Sequence, residues 1–185
     1  MKRAVTAVLV TSLWVLAAPA NASAQAMIGV GGGVTFPTGD YADYANTGWL
    51  AAAGVAFPVG DVPVSIGAHG FYGSNNHEAP DGDKTNLYGA LAGVSYAFGD
   101  PEGVSPFVGG LAGFMHHSYK SESQPSLEGS ESGLAGGAFA GVGFPLGSIG
   151  GFVEAYWLTG FGDIDSTQLF GAMAGVQFPL GGGGM

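Results

Sequence analysis

The sequence predicts an all-β chain, an eight-stranded antiparallel up-and-down transmembrane β-barrel that follows a cleaved signal peptide. Three observations predict it. The pattern Ala-x-Ala-Gly-Val-x-aromatic occurs four times, at Ala51–Phe57, Ala90–Tyr96, Ala138–Phe144 and Ala172–Phe178, and such self-similarity marks a repeated structural unit. With side chains alternating along a strand, every odd place of each copy is apolar, while the even places hold Gly, small, polar and a few large residues. Finally, the strand-like segments are almost free of charge. A lipid-facing wall excludes Lys or Arg at about 2–4 kcal/mol each at mid-bilayer.

Residues 1–24 read as the signal peptide. Lys2 and Arg3 are its positive start, Ala4 to Ala18 its apolar stretch, and Ala22-Ser23-Ala24 a small-residue cleavage pattern. A second pattern, Ala24-Gln25-Ala26, leaves the cut open between Ala24 and Ala26. About 15 apolar residues fall short of the roughly 20 that span a bilayer as a helix. With no Cys in the chain, a lipoprotein anchor, a disulfide framework and a thiolate zinc site are all excluded. After removal of the leader, Lys84 and Lys120 are the only strong bases against 14 acids, a net charge of −12. That balance excludes a phosphate-neutralising, nucleic-acid-binding surface. The 36 Gly have no collagen period, and 12% aromatic residues do not suit a disordered linker.

The barrel domain, residues 25–185, divides into strands as follows. The four repeats supply even strands, with Trp49, Tyr88 and Phe170 two residues before three of them and Gly136 before the other. Trp49 to Phe57, eight residues tilted near 40°, covers roughly 20 Å of membrane normal. Trp49, Phe57, Tyr88, Tyr96, Phe144, Phe170 and Phe178 are therefore expected to form aromatic girdles. Four further segments, near 28–36, 64–72, 107–119 and 151–158, complete eight strands. Long connections are expected near 37–47, 74–84, 120–132 and 159–166, facing outward. Short ones are expected near 58–63, 99–105 and 145–150, facing the periplasm. A soluble sandwich would solvate one face with Thr, Lys, Glu and Asn; here that face is mostly Gly and Ala.

These strands, with the phrases Pro106-Phe107-Val108-Gly109-Gly110 and Phe152-Val153-Glu154-Ala155-Tyr156-Trp157, resemble the small outer-membrane barrels of the OmpA/OmpX/OmpW-like superfamily. The resemblance spans essentially the whole chain after the leader and implies the outer membrane of a Gram-negative-type envelope. It implies contact with outer-membrane lipids and lipopolysaccharide, and with the outer-membrane assembly machinery during biogenesis. Two departures stand out. Tyr156 occupies the place where such proteins commonly carry an Arg beside the strand-seven Glu, and Pro179 to Met185 follow the aromatic Phe178 that usually ends the chain.

Alternation turns Glu154 and Tyr156 inward from one strand and His69 from another, and no Lys or Arg falls in any expected strand. A carboxylate without a cation is costly in a narrow lumen. Glu154 is protonated, or hydrogen-bonded to Tyr156 and water, or meets His69 across the interior; this lumenal polar pair is the expectation carried forward. No cofactor and no metal site is expected. The acids around Gly82 lack the ligand spacing of a calcium loop, and adjacent His116 and His117 point to opposite faces. His116 and Ser118 are similar to the His-x-Ser of outer-membrane lipid A deacylases, but Tyr119 stands where that family has Asn. The leading expectation is a non-enzymatic barrel with acidic outer loops, acting in envelope integrity or surface interactions without a large pore. A narrow channel or binder for small or apolar solutes is the alternative, and a lipid A-modifying hydrolase the third.

Overall fold

The computed structural model describes residues 25–78, 82–99, 103–122 and 124–180. Eight strands close into one antiparallel barrel in chain order. They are β1 (Ala26–Thr38), β2 (Ala45–Pro58), β3 (Val64–His77), β4 (Lys84–Ala97), β5 (Ser105–Lys120), β6 (Gly129–Leu146), β7 (Ile149–Phe161) and β8 (Gln168–Leu180). β1 closes on β8 from Ala26↔Leu180 to Thr38↔Gln168, so both ends of the described chain lie at one end of the barrel. This terminal end also holds connections 59–63, 98–104 and 147–148; the loop end holds 39–44, 78–83, 121–128 and 162–167. In the two-residue hairpin 147–148, Gly147 has φ +73°, as the first position of a tight hairpin turn matching the strand twist requires.

The outward face is apolar and exposed all round, from Trp49 at 50% to Phe114 at 61%. In a chain dissolved in water, so much contiguous apolar surface would drive association; around a barrel it is a lipid-contacting belt. At its loop-end edge Trp49, Tyr72, Tyr88 and His116 touch in succession across β2 to β5, with ring centroids 4.6–6.4 Å apart. Phe36 pairs with Phe170, which pairs with Trp157. Tyr96, packed on Phe98, and Phe178 mark the terminal edge with Phe57 and Phe144, both half-exposed.

Inside, the register sets large residues opposite glycine. Phe71 faces Gly89, Phe139 faces Gly109, Phe107 faces Gly141, Phe152 faces Gly175 and Tyr156 faces Gly171. In each pair a Cβ on the glycine would overlap the facing ring. An eight-stranded barrel has just enough interior for side chains, and a ring laid along the wall over a glycine uses that space without collision.

The strands depart from expectation at the loop end. They run further, so the four connections there are shorter than 37–47, 74–84, 120–132 and 159–166, and 98–104 at the other end is no shorter. Lys84, Lys120 and Glu131 consequently lie in strands. Beyond the apolar belt the wall meets water, so charge no longer opposes strand pairing, and alternating hydrophobicity no longer marks its extent. At the carboxyl end, Pro179 and Leu180 continue β8 rather than forming a tail. The expected signal peptide and residues 181–185 lie outside the described residues.

Replacing Gly109 with Leu should lower unfolding stability by about 1–3 kcal/mol through overpacking, read as a lower urea midpoint. Adding Phe139→Ala should recover part of the loss. Gly129→Ala, where nothing lies within 4 Å, should change stability by less than about 0.5 kcal/mol.

Candidate functional site

The lumen has two unlike halves. Toward the loop end, Leu50, Phe71, Leu87, Leu91, Met115, Ala135, Tyr156, Leu158 and Leu169 form one buried layer contributed by β2 to β8. Leu87 and Leu169 have no exposed surface and Met115 has 1%. Toward the terminal end the inward positions are mostly Gly, Ala and Ser, and a cavity of about 240 Å³ remains. Its wall includes His69, Glu154, Gln177, Phe107, Phe139 and Phe152. A smaller apolar recess of about 60 Å³ carries it up to Tyr156 and the buried layer.

His69 and Glu154 thus share one cavity from opposite walls, β3 and β7. No hydrogen bond joins them among the described residues. Each leans over the glycine across its own strand pair: His69 over Gly54, Glu154 over Gly141. The Tyr156 hydroxyl points away from Glu154's role as well, reaching the Val34 carbonyl at 3.5 Å. Glu154 has no hydrogen-bond partner among the described residues, and Lys84 and Lys120 lie at the other end of the barrel.

Above the apolar layer sits a polar closure that the sequence does not announce. Thr35, Asn75, Thr85 and Thr167 are completely buried. Asn75 donates from Nδ2 to Thr35 Oγ1 at 2.9 Å and to the Asn46 carbonyl at 2.8 Å. Thr85 Oγ1 lies 2.8 Å from His77 Nε2 and 3.4 Å from His117 Nε2, while His117 Nδ1 meets Thr167 Oγ1 at 3.2 Å. The buried Tyr41, from the 3-10 turn Gly39–Asp43, packs edge-on to His117 and Tyr44. Tyr119 donates its hydroxyl to Asp83. That bond, with others from Ser121 and the Glu122 backbone and against the effect of burial, holds the Asp83 carboxyl below the ordinary Asp range. Lys120 bridges Glu128 at 3.0 Å on the surface, a contact of little energetic weight. His116 faces outward, bonded through Nδ1 to Ser132 Oγ at 2.6 Å, whereas His117 faces in. Among the described residues no group of three or more acidic, His or Cys side chains could hold a metal ion.

No protein-family model matches the chain, and no curated protein does. Solved structures share its fold. Neisserial surface protein A superposes with a TM-score of 0.63 at 12% identity, over 84% of this chain and 97% of that one. The attachment invasion locus protein Ail of Yersinia pestis, in complex with the heparin analogue sucrose octasulfate, gives 0.54 at 14% identity, over 85% and 99%. The N-terminal β-barrel domain of Pseudomonas aeruginosa OprF gives 0.50 at 19%, over 84% and 100%. The chain therefore has the fold of the small eight-stranded outer-membrane β-barrels.

Thr85→Val removes the hydroxyl shared by His77 and His117 and should cost about 1–3 kcal/mol; Thr85→Ser should retain most of it, by urea titration. A carboxyl held down on folding contributes stability that is present above its ordinary pKa, 3.8 for Asp83, and is lost as pH falls through the lower folded value. The stability gap between the natural chain and Asp83→Asn should therefore be level above pH 3.8 and close below it.

Proposed function

We propose that this chain is a non-enzymatic integral protein of the outer membrane that serves envelope integrity or interactions at the cell surface, without a large pore. The observation that carries the reading is the buried layer around Leu87, Met115 and Leu169, with the hydrogen-bonded closure above it. A solute would have to displace packed side chains, not water. In this reading the terminal end faces the periplasm, the aromatic belt contacts outer-membrane lipids, and the assembly machinery inserts the barrel.

The loop end carries Asp40, Asp43, Glu78, Glu122, Glu128, Asp163 and Asp165 against Lys84 and Lys120. Ail is described in complex with the heparin analogue sucrose octasulfate; the excess of acids at the loop end here favours cationic partners instead, or divalent cations bridging to lipopolysaccharide phosphates. A lipid A hydrolase is disfavoured by His116, whose Nδ1 is engaged by Ser132 and whose ring packs on Tyr88.

Planar-bilayer recording tests the reading. The natural barrel should give no conductance steps, while Leu87→Ala with Met115→Ala, which thins the buried layer, should introduce them. Steps from the natural barrel that disappear when a lumenal glycine is replaced by Phe would instead establish the narrow channel.

A further inference from the structure

We propose that the cavity at the terminal end is a binding site for a small organic ammonium ion, with Glu154 as its anionic anchor and lumenal phenyl rings as its walls. Four observations meet there. The cavity encloses about 240 Å³ and is bounded by residues of the terminal rim, Met27, Pro58, Ala97 and Gln177 among them, so it is reached from that end. Toward the other end it stops at the buried layer of Leu50, Leu87, Met115 and Leu169. Glu154 lines it and has no hydrogen-bond partner among the described residues. Phe107, Phe139 and Phe152 line the same space; each reaches over a glycine of the next strand, and the Phe107 and Phe139 rings sit 6.0 Å apart, tilted by 59°.

This combination selects its ligand by chemistry. An anion is repelled by Glu154. A neutral apolar molecule would fill the space but leave the carboxylate without a partner, at the desolvation cost of an isolated buried charge. An alkali ion would exchange a full hydration shell for one carboxylate, a few neutral polar side chains spread over separate walls, Ser65, His69, Ser95 and Gln177, and hydrocarbon. An alkylammonium ion satisfies both parts of the wall. Its head donates to the carboxylate in a charge-assisted bond, and the ring faces attract the positive charge through their quadrupoles, while its short apolar stem packs against Met173 and Ala52. The described chain offers no internal cation to compete, since Lys84 and Lys120 sit at the loop end. At the terminal rim, Asp61 adds negative charge, which draws cations toward the mouth. His69 and Ser95, on the facing walls, offer polar groups to the rest of a small ligand. The inference is independent of the surface role proposed above, because the site opens at the opposite end.

Methyl NMR of the full barrel in nanodiscs tests it, with n-butylammonium chloride as probe and n-butanol and sodium chloride as controls at fixed pH and ionic strength. Met27 and Met173 line the cavity and Met115 belongs to the buried layer, so the methionine methyls report both places. The expected result is saturable shifts of Met27 and Met173 with butylammonium, none at Met115, and none with butanol. Glu154→Gln, isosteric and uncharged, should weaken binding about tenfold or more, with heat-modifiable gel migration showing that the variant barrel is folded. Absence of saturable shifts, equal binding of butanol, or equal binding of butylammonium by a folded Glu154→Gln barrel would overturn the proposal.

Discussion

The cross-strand pairing of a bulky lumenal side chain with a glycine governs the rest of this barrel. It recurs well beyond the aromatic residues: Leu50 faces Gly33 and Gly73, Leu91 faces Gly113, Leu111 faces Gly93, Met115 faces Gly89 and Gly133, and Leu158 faces Gly137. Each large residue thus has empty wall beside it. Slipping any strand by one residue would turn its apolar set from lipid into the lumen. Slipping by two would preserve the faces but take these side chains off the glycines that make room for them. The faces are fixed by alternation and the register by volume. Both are needed for β8 to meet β1 and satisfy its edge hydrogen bonds, which in hydrocarbon have no water to turn to.

The same volume rule divides the lumen. Where inward positions carry Leu, Met, Phe and Tyr, the space fills and water is excluded. The polar groups above that layer are consequently buried and must bond to one another. Asn75 bonds Thr35, and Thr85 and Thr167 both meet His117, from separate segments, while Tyr41, brought in by a 3-10 turn, packs on His117. Where inward positions are Gly29, Gly31, Ala52, Gly54, Gly67 and Gly93, three phenyl rings are too few to fill the section, and the cavity results. A closed half and a hollow half are one outcome of how glycine is distributed along the strands.

Much of this was legible in the sequence, for a physical reason. The Ala-x-Ala-Gly-Val-x-aromatic repeats expose the two-residue period directly, because lipid tolerates so few residue types on one face. The outward placement of Trp49, Tyr88, Tyr96, Phe170 and Phe178, and the inward placement of Glu154 and His69, follow from counting alone. Tyr72, His116 and Phe161 also face outward, but they lie on strands without the repeat, so the repeat does not point to them. The loop-end extension was invisible because both strand faces there meet water or polar neighbours, which erases the alternation. The polar closure was hidden by separation: Thr35 and Asn75 are 40 residues apart, and His117 and Thr167 are 50 apart. Register, which brings them together, is written in the sizes of paired residues and not in any single strand.

Among the described residues Glu154 is the one acid at the height of the apolar belt, and the register sharpens what it means there. A neutral side chain at that place would fill the wall above Gly141 without a buried charge, as Phe107 does from the other side of the same glycine. Membrane placement alone therefore does not account for a carboxylate. Nor does structural pairing, since Lys84 and Lys120 lie at the loop end and His69 leans over a glycine of its own, without a bond to Glu154. The acid instead faces the hollow half, beneath a closure that isolates it from the loop end. In the proposed reading the ammonium ion reaches Glu154 through the mouth beside the chain termini, and in the proposed orientation that mouth opens on the periplasm. The packed half thereby gives the hollow half its direction of access: a barrel sealed at one end presents its interior to one compartment only.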